Sequence, residues 1–267
     1  MVSIIIVTYN CVKDIEKTII SCIKQNYKEK EIIIIDGGSK DGTIDIIKKY
    51  DHQIKYWRSE PDLGIYDGMN KGIKICNGDW IIFMNCGDIF FNEKTLSSVF
   101  TSSTYSGYDI IYGDRISQFS FGSYLHKPES LENFGLTFPL FHQSAFVRSK
   151  ILKKRLFNIE YKICADYESF YSFYISMKSF YYIPITISIC ECENGLSSRM
   201  SSQIQRLKED AKIQGMSPIS CRYIFQYINT IIRIIILSCF KKCNKKLYVS
   251  IYKWRCDKNK RMSVYNK

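Results

Sequence analysis

Val2–Tyr9 (VSIIIVTY) is an unbroken, largely β-branched apolar run. Such a run predicts a strand buried on both faces of a parallel sheet. Asn10-Cys11-Val12 turns the chain, and Ile15, Ile19 and Ile23 then recur every four residues, the stripe of an amphipathic helix. Glu31–Ile35 reads as a second strand, Asp36–Thr43 as a polar, glycine-rich loop, and Ile44, Ile47 and Tyr50 as the inward face of a second helix. A third strand is predicted around Ile54–Arg58. Strand and helix alternating in this way imply a parallel sheet with helices on its faces and right-handed crossovers. Asp79–Met84 is a short buried strand, preceded by a helix over Tyr66–Cys76 and followed at once by Asn85-Cys86-Gly87-Asp88. The loops at 8–10, 36–43, 59–70 and 85–88 therefore gather on one rim, where open α/β sheets bind ligands.

Past Asp88 the pattern loosens. Asn92 can cap a short helix through Phe100, Asp109–Gly113 reads as a strand, and residues 115–140 carry many aromatics with weak periodicity. Phe141–Arg148 reads as a strand, Ala165–Met177 as a helix, Tyr182–Cys190 as another strand and Gln203–Gln214 as a polar helix. Tyr223–Phe240 is apolar apart from a narrow stripe of Arg222, Gln226, Asn229 and Arg233. It is short for a membrane span, and its central Arg would cost about 3 kcal/mol in hydrocarbon. A helix lying in the membrane interface is the better reading; a core or dimer-interface helix is the alternative. The division expected is one α/β domain over 1–220, its halves meeting near 114, and a basic tail over 221–267.

Charge sharpens that division. The net charge is +12, but residues 222–267 hold twelve Lys/Arg against the single acid Asp257. The rest of the chain is nearly neutral, so the basic balance points to the tail and an anionic membrane surface, not to nucleic acid. Eleven cysteines and three histidines show no C-x-x-C pair and no zinc spacing. With no secretory leader ahead of the first strand, the expectation is a cytoplasmic protein, peripheral at the inner membrane face, with reduced cysteines.

Several residues can carry chemistry. Asp36 ends a strand before two glycines, where a carboxylate can meet a ribose or base edge; a helix-capping loop led by Asp41 or Ser39 is the bland alternative. The lack of G-x-G-x-x-G after the first strand disfavours a dinucleotide enzyme. Asp88 is the candidate ligand for Mg²⁺ or Mn²⁺, since hard cations can bind through one or two carboxylates plus substrate phosphates. Asp166 opens an aromatic-rich helix; burial there would raise its pKa toward that of a general base, while an acid favoured by the helix dipole is the simpler reading of the residue by itself. His142, Gln143 and Arg199 are candidate diphosphate or acceptor contacts.

Three segments then carry a resemblance: Val2–Asn10, Ile35–Thr43 (IDGGSKDGT) and Ser59–Gly72 (SEPDLGIYDGMNKG). In that order they resemble bacterial family 2 glycosyltransferases, in particular the branch associated with O-antigen, colanic acid and capsule assembly. The resemblance spans roughly residues 1–200. It implies a GT-A fold, with a mostly parallel central sheet between helices, and a C-terminal amphipathic helical tail would be appended to it. It further implies an inverting, metal-dependent transfer from a nucleotide-diphospho-sugar, a UDP-sugar first among them, to a saccharide acceptor, which the tail suggests is lipid-linked. By position Thr8, Tyr9, Asn10 and Asp36 would line the nucleotide. Asp67, Asn70 and Lys71 would flank the base and diphosphate. Asp88, with Asn85 beside it, would hold the metal, and Asp166 would be the base. The metal motif departs from many relatives in having one acid. A nucleotidyltransferase and a non-catalytic sugar-nucleotide-binding or membrane-adaptor protein are the rival readings.

Overall fold

A computed structural model describes residues 1–101, 105–192, 200–243, 249–250, 253 and 262–265. Four strands form its parallel half: β1 (Val2–Thr8), β2 (Lys30–Asp36), β3 (Tyr56–Ser59) and β4 (Trp80–Phe83). β1 pairs in parallel with both β2 and β4, and β2 with β3. The chain thus steps outward from β1 to β3 and returns to place β4 on the other side of β1. That reversal opens a crevice beyond the carboxyl ends of β1 and β4.

The other half makes the sheet mixed. β5 (Ile89–Phe90), β6 (Ile110–Phe119), β7 (Gly122–His126), β8 (Ala145–Arg148) and β9 (Phe180–Glu191) follow in the chain. β8 is inserted antiparallel between β4 and β6, β7 pairs antiparallel with β6, and β9 runs parallel to β6 and antiparallel to β5. The expected strand at 109–113 therefore continues to Phe119 and turns into a hairpin. Phe141–Arg148, expected to be all strand, begins with a 3-10 turn over His142–Ser144, because the His142 side chain bonds to Asp166 and Ser144 Oγ to Ser188 Oγ.

Alternation along the parallel strands builds two cores. Ile5, Val7, Ile33, Ile35, Ile81 and Phe83 face α3 (Ile65–Ile75), α5 (Ser149–Lys154) and α6 (Ala165–Ile175). Ile4, Ile6, Ile32, Ile34, Ile82 and Met84 face α1 (Ile15–Ile23), α2 (Thr43–Lys49) and α4 (Thr95–Phe100). Two glycines set how closely α3 lies on β1. A Cβ at Gly68 would come within 2.7 Å of Val7 Cγ1, and one at Gly72 within 2.6 Å of Ile5 Cγ2.

α7 (Met200–Ile213) is followed by α8 (Cys221–Cys243), the expected tail helix. Ile224, Phe225, Ile228, Ile232, Ile235 and Ile236 are exposed along α8, spaced as one stripe of a helix. No helix among the described residues is long and apolar enough to cross a membrane. The tail is not helical throughout: β10 (Met262–Tyr265) adds antiparallel to β7, satisfying backbone groups that an edge strand leaves unpaired.

Candidate active site

The loops after β1 and β4 run side by side. Backbone bonds from Met84 N to the Ile5 carbonyl and from Cys86 N to the Val7 carbonyl carry the pairing past the end of β4. Cys11 and Cys86, 75 residues apart, are joined by a disulfide. This corrects the expectation of reduced cysteines for that pair: only the sheet order, invisible in local spacing, brings these two turns together. Cys22, Cys76, Cys164, Cys190, Cys192 and Cys221 are free.

Asp88 lies just beyond this junction. Gly87 precedes it at φ +100°, a conformation that an L side chain resists, and Asp88 N bonds back to the Asn85 carbonyl. The tight turn draws the carboxylate inside, where it is 7% exposed. Burial pushes its pKa up to about 6, against the pull of His142, a Cys190 hydrogen bond and Arg115, with Glu191 adding to the rise. Glu191 is thus a second acid near the turn, supplied by β9. It stands beside Gly87, where an added Cβ would lie 3.9 Å from Glu191 Cβ. Among the described residues no group of three or more His, Cys, Asp or Glu is arranged around a metal position. The fit to a hard cation rests on oxygen donors. Asp88 is a poorly neutralised carboxylate, and Asn85 Oδ1 is buried without a hydrogen-bond partner. One carboxylate and one amide oxygen suit an ion held largely by phosphates.

On the β1 side, Thr8 Oγ1 is also buried without a partner, while Tyr9 is 63% exposed on the rim. Asn10 adopts φ +47°, a left-handed conformation to which Asn is suited, and its Oδ1 accepts from Lys40 N at 2.9 Å. Asp36 is fully buried. Its carboxylate accepts from Gly38 N, Ser39 N, Ser39 Oγ and Ser59 Oγ at 2.5–3.0 Å. It shapes the loop from within, and those oxygens are committed to the protein. Asp41, the alternative cap, accepts from Thr43 N and Val12 N.

The α3 residues divide similarly. Asp67 accepts from Leu63 N and lies 3.4 Å from Lys71, which also reaches Glu60 at 3.2 Å. These charges brace the 60–64 loop at the rim. Asn70 is buried, donating to the Phe157 carbonyl and accepting from Phe157 N, both at 2.9 Å. It clamps α3 to the segment leading into α6. Asp62, which the sequence did not single out, is pressed against Gly37, and burial raises its pKa.

α3 also carries Tyr66, whose hydroxyl lies 2.8 Å from Asp166 Oδ1 and 2.7 Å from the Ile163 carbonyl. Asp166 Oδ2 meets His142 Nδ1 at 2.5 Å. Burial opposes ionisation of Asp166 most strongly. The charge and hydrogen bond of His142, with bonds from Tyr66 and Tyr167 N, outweigh it and hold the carboxyl below the usual range. That reverses the rise expected from its aromatic surroundings. His142 Nε2 is buried with no hydrogen-bond partner. The turn bearing His142 packs on β4, β6 and β9, and Gln143 follows it, half-buried. Arg115, on β6, places its guanidinium 4.0 Å over the Phe141 ring and acts on Asp88; sequence periodicity gave no signal for it. Arg199 lies outside the described residues.

Comparison with known proteins places this arrangement. The model of glycosyl transferase family 2 matches residues 3–179. A PGL/p-HBAD biosynthesis glycosyltransferase of Mycobacterium bovis is 27% identical over 176 residues, covering 63% of this chain and 67% of that protein. Staphylococcus aureus TarS 1–349, solved with UDP-GlcNAc, superposes with TM-score 0.63 at 18% identity, over 88% of this chain and 80% of that one. The chain spans 50% of the longer TarS structure. A Pyrobaculum calidifontis mannosyltransferase, solved with GDP-Man and Mn²⁺, gives 0.62 at 11% identity, over 96% and 79%. The fold is that of GT-A glycosyltransferases, and with the family model matching most of its length, the chain belongs to glycosyl transferase family 2.

Proposed function

We propose that the protein transfers a sugar, with inversion, from a nucleotide-diphospho-sugar to a saccharide acceptor. The observation that carries this reading is the set of buried polar atoms without protein partners at the crevice: Thr8 Oγ1, Asn85 Oδ1 and His142 Nε2, beside the underneutralised Asp88. Buried polar groups ordinarily find partners, and a diphosphate with its cation would supply them.

Thr8, Tyr9 and Asn10 would then border the nucleotide. Asp36 would act by holding the 37–39 loop so that its backbone can approach the ligand. Asp67 and Lys71 would fix the rim loop beside the base, with Asn70 anchoring their helix. Asp88 and Asn85 would hold Mg²⁺ or Mn²⁺. That ion would offset the negative charge collecting on the departing diphosphate. Arg115 and Arg199 are further cations for the diphosphate or acceptor. Asp166, with His142 and Tyr66, would form the acceptor side.

The donor is read as a UDP-sugar, in line with the UDP-GlcNAc carried by the TarS neighbour. The acceptor is read as lipid-linked, in surface polysaccharide assembly. Support for that comes from the exposed apolar stripe of α8 and the Lys/Arg-rich sequence that follows it. A screen of nucleotide sugars for slow donor hydrolysis with Mn²⁺ tests the reading without needing the acceptor. Release of nucleoside diphosphate from one or a few donors is expected; release from none would reject it.

A further inference from the structure

β6 carries a cation for which the protein provides no paired anion. Arg115 and Ser117 share one face of β6, with Ser188 and Cys190 beside them on β9. Ser188 Oγ lies 2.6 Å from Ser144 Oγ in the His142 turn, and Cys190 hydrogen-bonds Asp88, so this face borders the crevice. The β6–β9 register shifts immediately before Arg115, an irregularity of the kind that re-aims a side chain. The guanidinium lies 4.0 Å over the Phe141 ring and donates to Ser117 Oγ at 3.3 Å. Its Nε is buried without a hydrogen-bond partner, while the residue as a whole keeps some exposure. Arg58, Arg155 and Arg206 each pair with a carboxylate; among the described residues Arg115 pairs with none. It acts on Asp88 without forming an ion pair, and a cation held on Asp88 would take up that charge. A half-buried cation without a partner is costly, and a ligand's anion would relieve the cost.

Sheet order separates the candidate anions. Along the rim the strands run β6, β8, β4, β1, β2, with Thr8 and Asp36 ending β1 and β2 and Asp88 following β4. Arg115 therefore stands two strands beyond β4, about 10 Å at ordinary strand spacing, on the side away from the nucleotide. Its stacking partner Phe141 directly precedes His142, which bonds to Asp166. One turn thus joins this cation to the acceptor side. Resting on the glycosyl-transfer reading above, we propose that Arg115 binds a phosphate of the acceptor, making the acceptor class a sugar carried on phosphate or diphosphate and not a neutral glycoside. A planar guanidinium can offer a phosphate two parallel N–H groups. Stacking on Phe141 restricts the side chain in advance, so less freedom is lost when the anion arrives. The same charge would disfavour an acceptor that leaves it buried without an anion.

The test uses the full chain saturated with UDP and Mg²⁺. It is titrated with a panel of hexose and N-acetylhexosamine 1-phosphates and with the matching methyl glycosides, binding being followed by saturation-transfer NMR. One or more of the sugar phosphates should bind more tightly than its methyl glycoside by about tenfold or more, the scale of a hydrogen bond to a charged group. Arg115→Gln should erase that preference. Arg115→Lys, which keeps the charge but not the planar fork, should retain part of it, and UDP affinity should be unchanged in both. Should Arg115→Gln melt far below wild type, Arg115→Lys carries the comparison, with weaker sugar-phosphate binding expected and an undiminished preference counting against the proposal. A wild-type protein that holds UDP but does not prefer the sugar phosphates would overturn it. So would a preference that survives in Arg115→Gln, leaving the guanidinium as a brace on Phe141. A fall in UDP affinity in that variant would overturn it too, giving Arg115 to the donor diphosphate. A wild-type chain that binds no UDP would instead remove the glycosyl-transfer reading itself.

Discussion

Cys11 and Cys86 are bonded across the junction of β1 and β4, tying the turn after the first strand to the turn that carries Asp88. Closing a 75-residue separation removes disorder from the unfolded chain worth about 4 kcal/mol in the chain-entropy account. It also fixes Thr8 relative to Asn85. Reduction should therefore lower the melting temperature and weaken UDP binding. A Cys11→Ser, Cys86→Ser double variant should show both effects without reductant and no further response to it. Melting curves with and without dithiothreitol check this; coincident curves for the wild-type protein would mean that the bond does not form in solution.

Asp88 couples stability to pH in a direction opposite to that of an ordinary salt-bridged carboxylate. Burial raises its pKa from 3.8 to about 6, so the folded state favours the protonated form. The associated stability is fully present below about pH 4 and is lost as pH rises through about 6. By pH 8 the ionised buried group costs on the order of 2–3 kcal/mol. Asp88→Asn removes that cost. In chelator at pH 8 the variant should melt above wild type, and the gap should shrink toward pH 4. With Mn²⁺ and UDP the order should reverse, since only the wild-type carboxylate gains from the cation. Parallel melting profiles across this range would place Asp88 in contact with water.

The parallel half was legible because its signals are local. Ile4–Val7 and Ile32–Ile35 are buried on both faces, so an unbroken apolar run is what burial demands. The rim loops followed from strand order alone, and Asp88 landed at the predicted strand end. The continuation of β6 past Gly113 and the whole of β7 were not legible because Asp114, Ser117 and His126 are themselves buried, which erases the contrast between apolar and polar faces. Long-range pairs were equally hidden. Tyr66 meets Asp166 across 100 residues, and Cys11 meets Cys86 across 75. Asp166 was singled out, but the sign of its pKa shift depended on partners no spacing rule reveals. Asp36, read as a ligand contact, also braces its own loop from within, a role its position in the sequence does not reveal.

The glycines of the α3 motif act through packing. Replacing Gly72 by Ala gains about 1 kcal/mol of helix propensity. Against this, the new methyl would meet Ile5 Cγ2 at 2.6 Å, and overpacking of a well-filled core costs about 1–3 kcal/mol. Ile5 is fully buried in the central strand and has no room to retreat, so the steric term wins. Gly72→Ala should be net destabilising by about 1 kcal/mol in urea unfolding. Gly64→Ala offers a contrast: nothing lies within 4 Å of its Cβ position, but its φ of +120° makes the cost one of backbone strain, about 1–3 kcal/mol. A Gly72→Ala variant more stable than wild type would show that α3 can lift from β1.

The exposed stripe on α8 makes the membrane part of the proposal testable apart from catalysis. Ile224, Phe225, Ile228 and Ile232 are each 46–68% exposed, and burying one such side chain is worth about 1.5–3 kcal/mol. Lys/Arg near an anionic surface add about 1 kcal/mol each. The two contributions separate by salt. Phe225→Asp with Ile228→Asp should weaken sedimentation with phosphatidylserine vesicles at every ionic strength, whereas binding through the basic residues alone should fade as salt is raised. Deleting residues 222–267 should abolish both components while leaving UDP binding by the 1–221 portion to be measured in the same sample. Vesicle binding unchanged by either alteration would assign the stripe to a protein partner or a second copy of the chain.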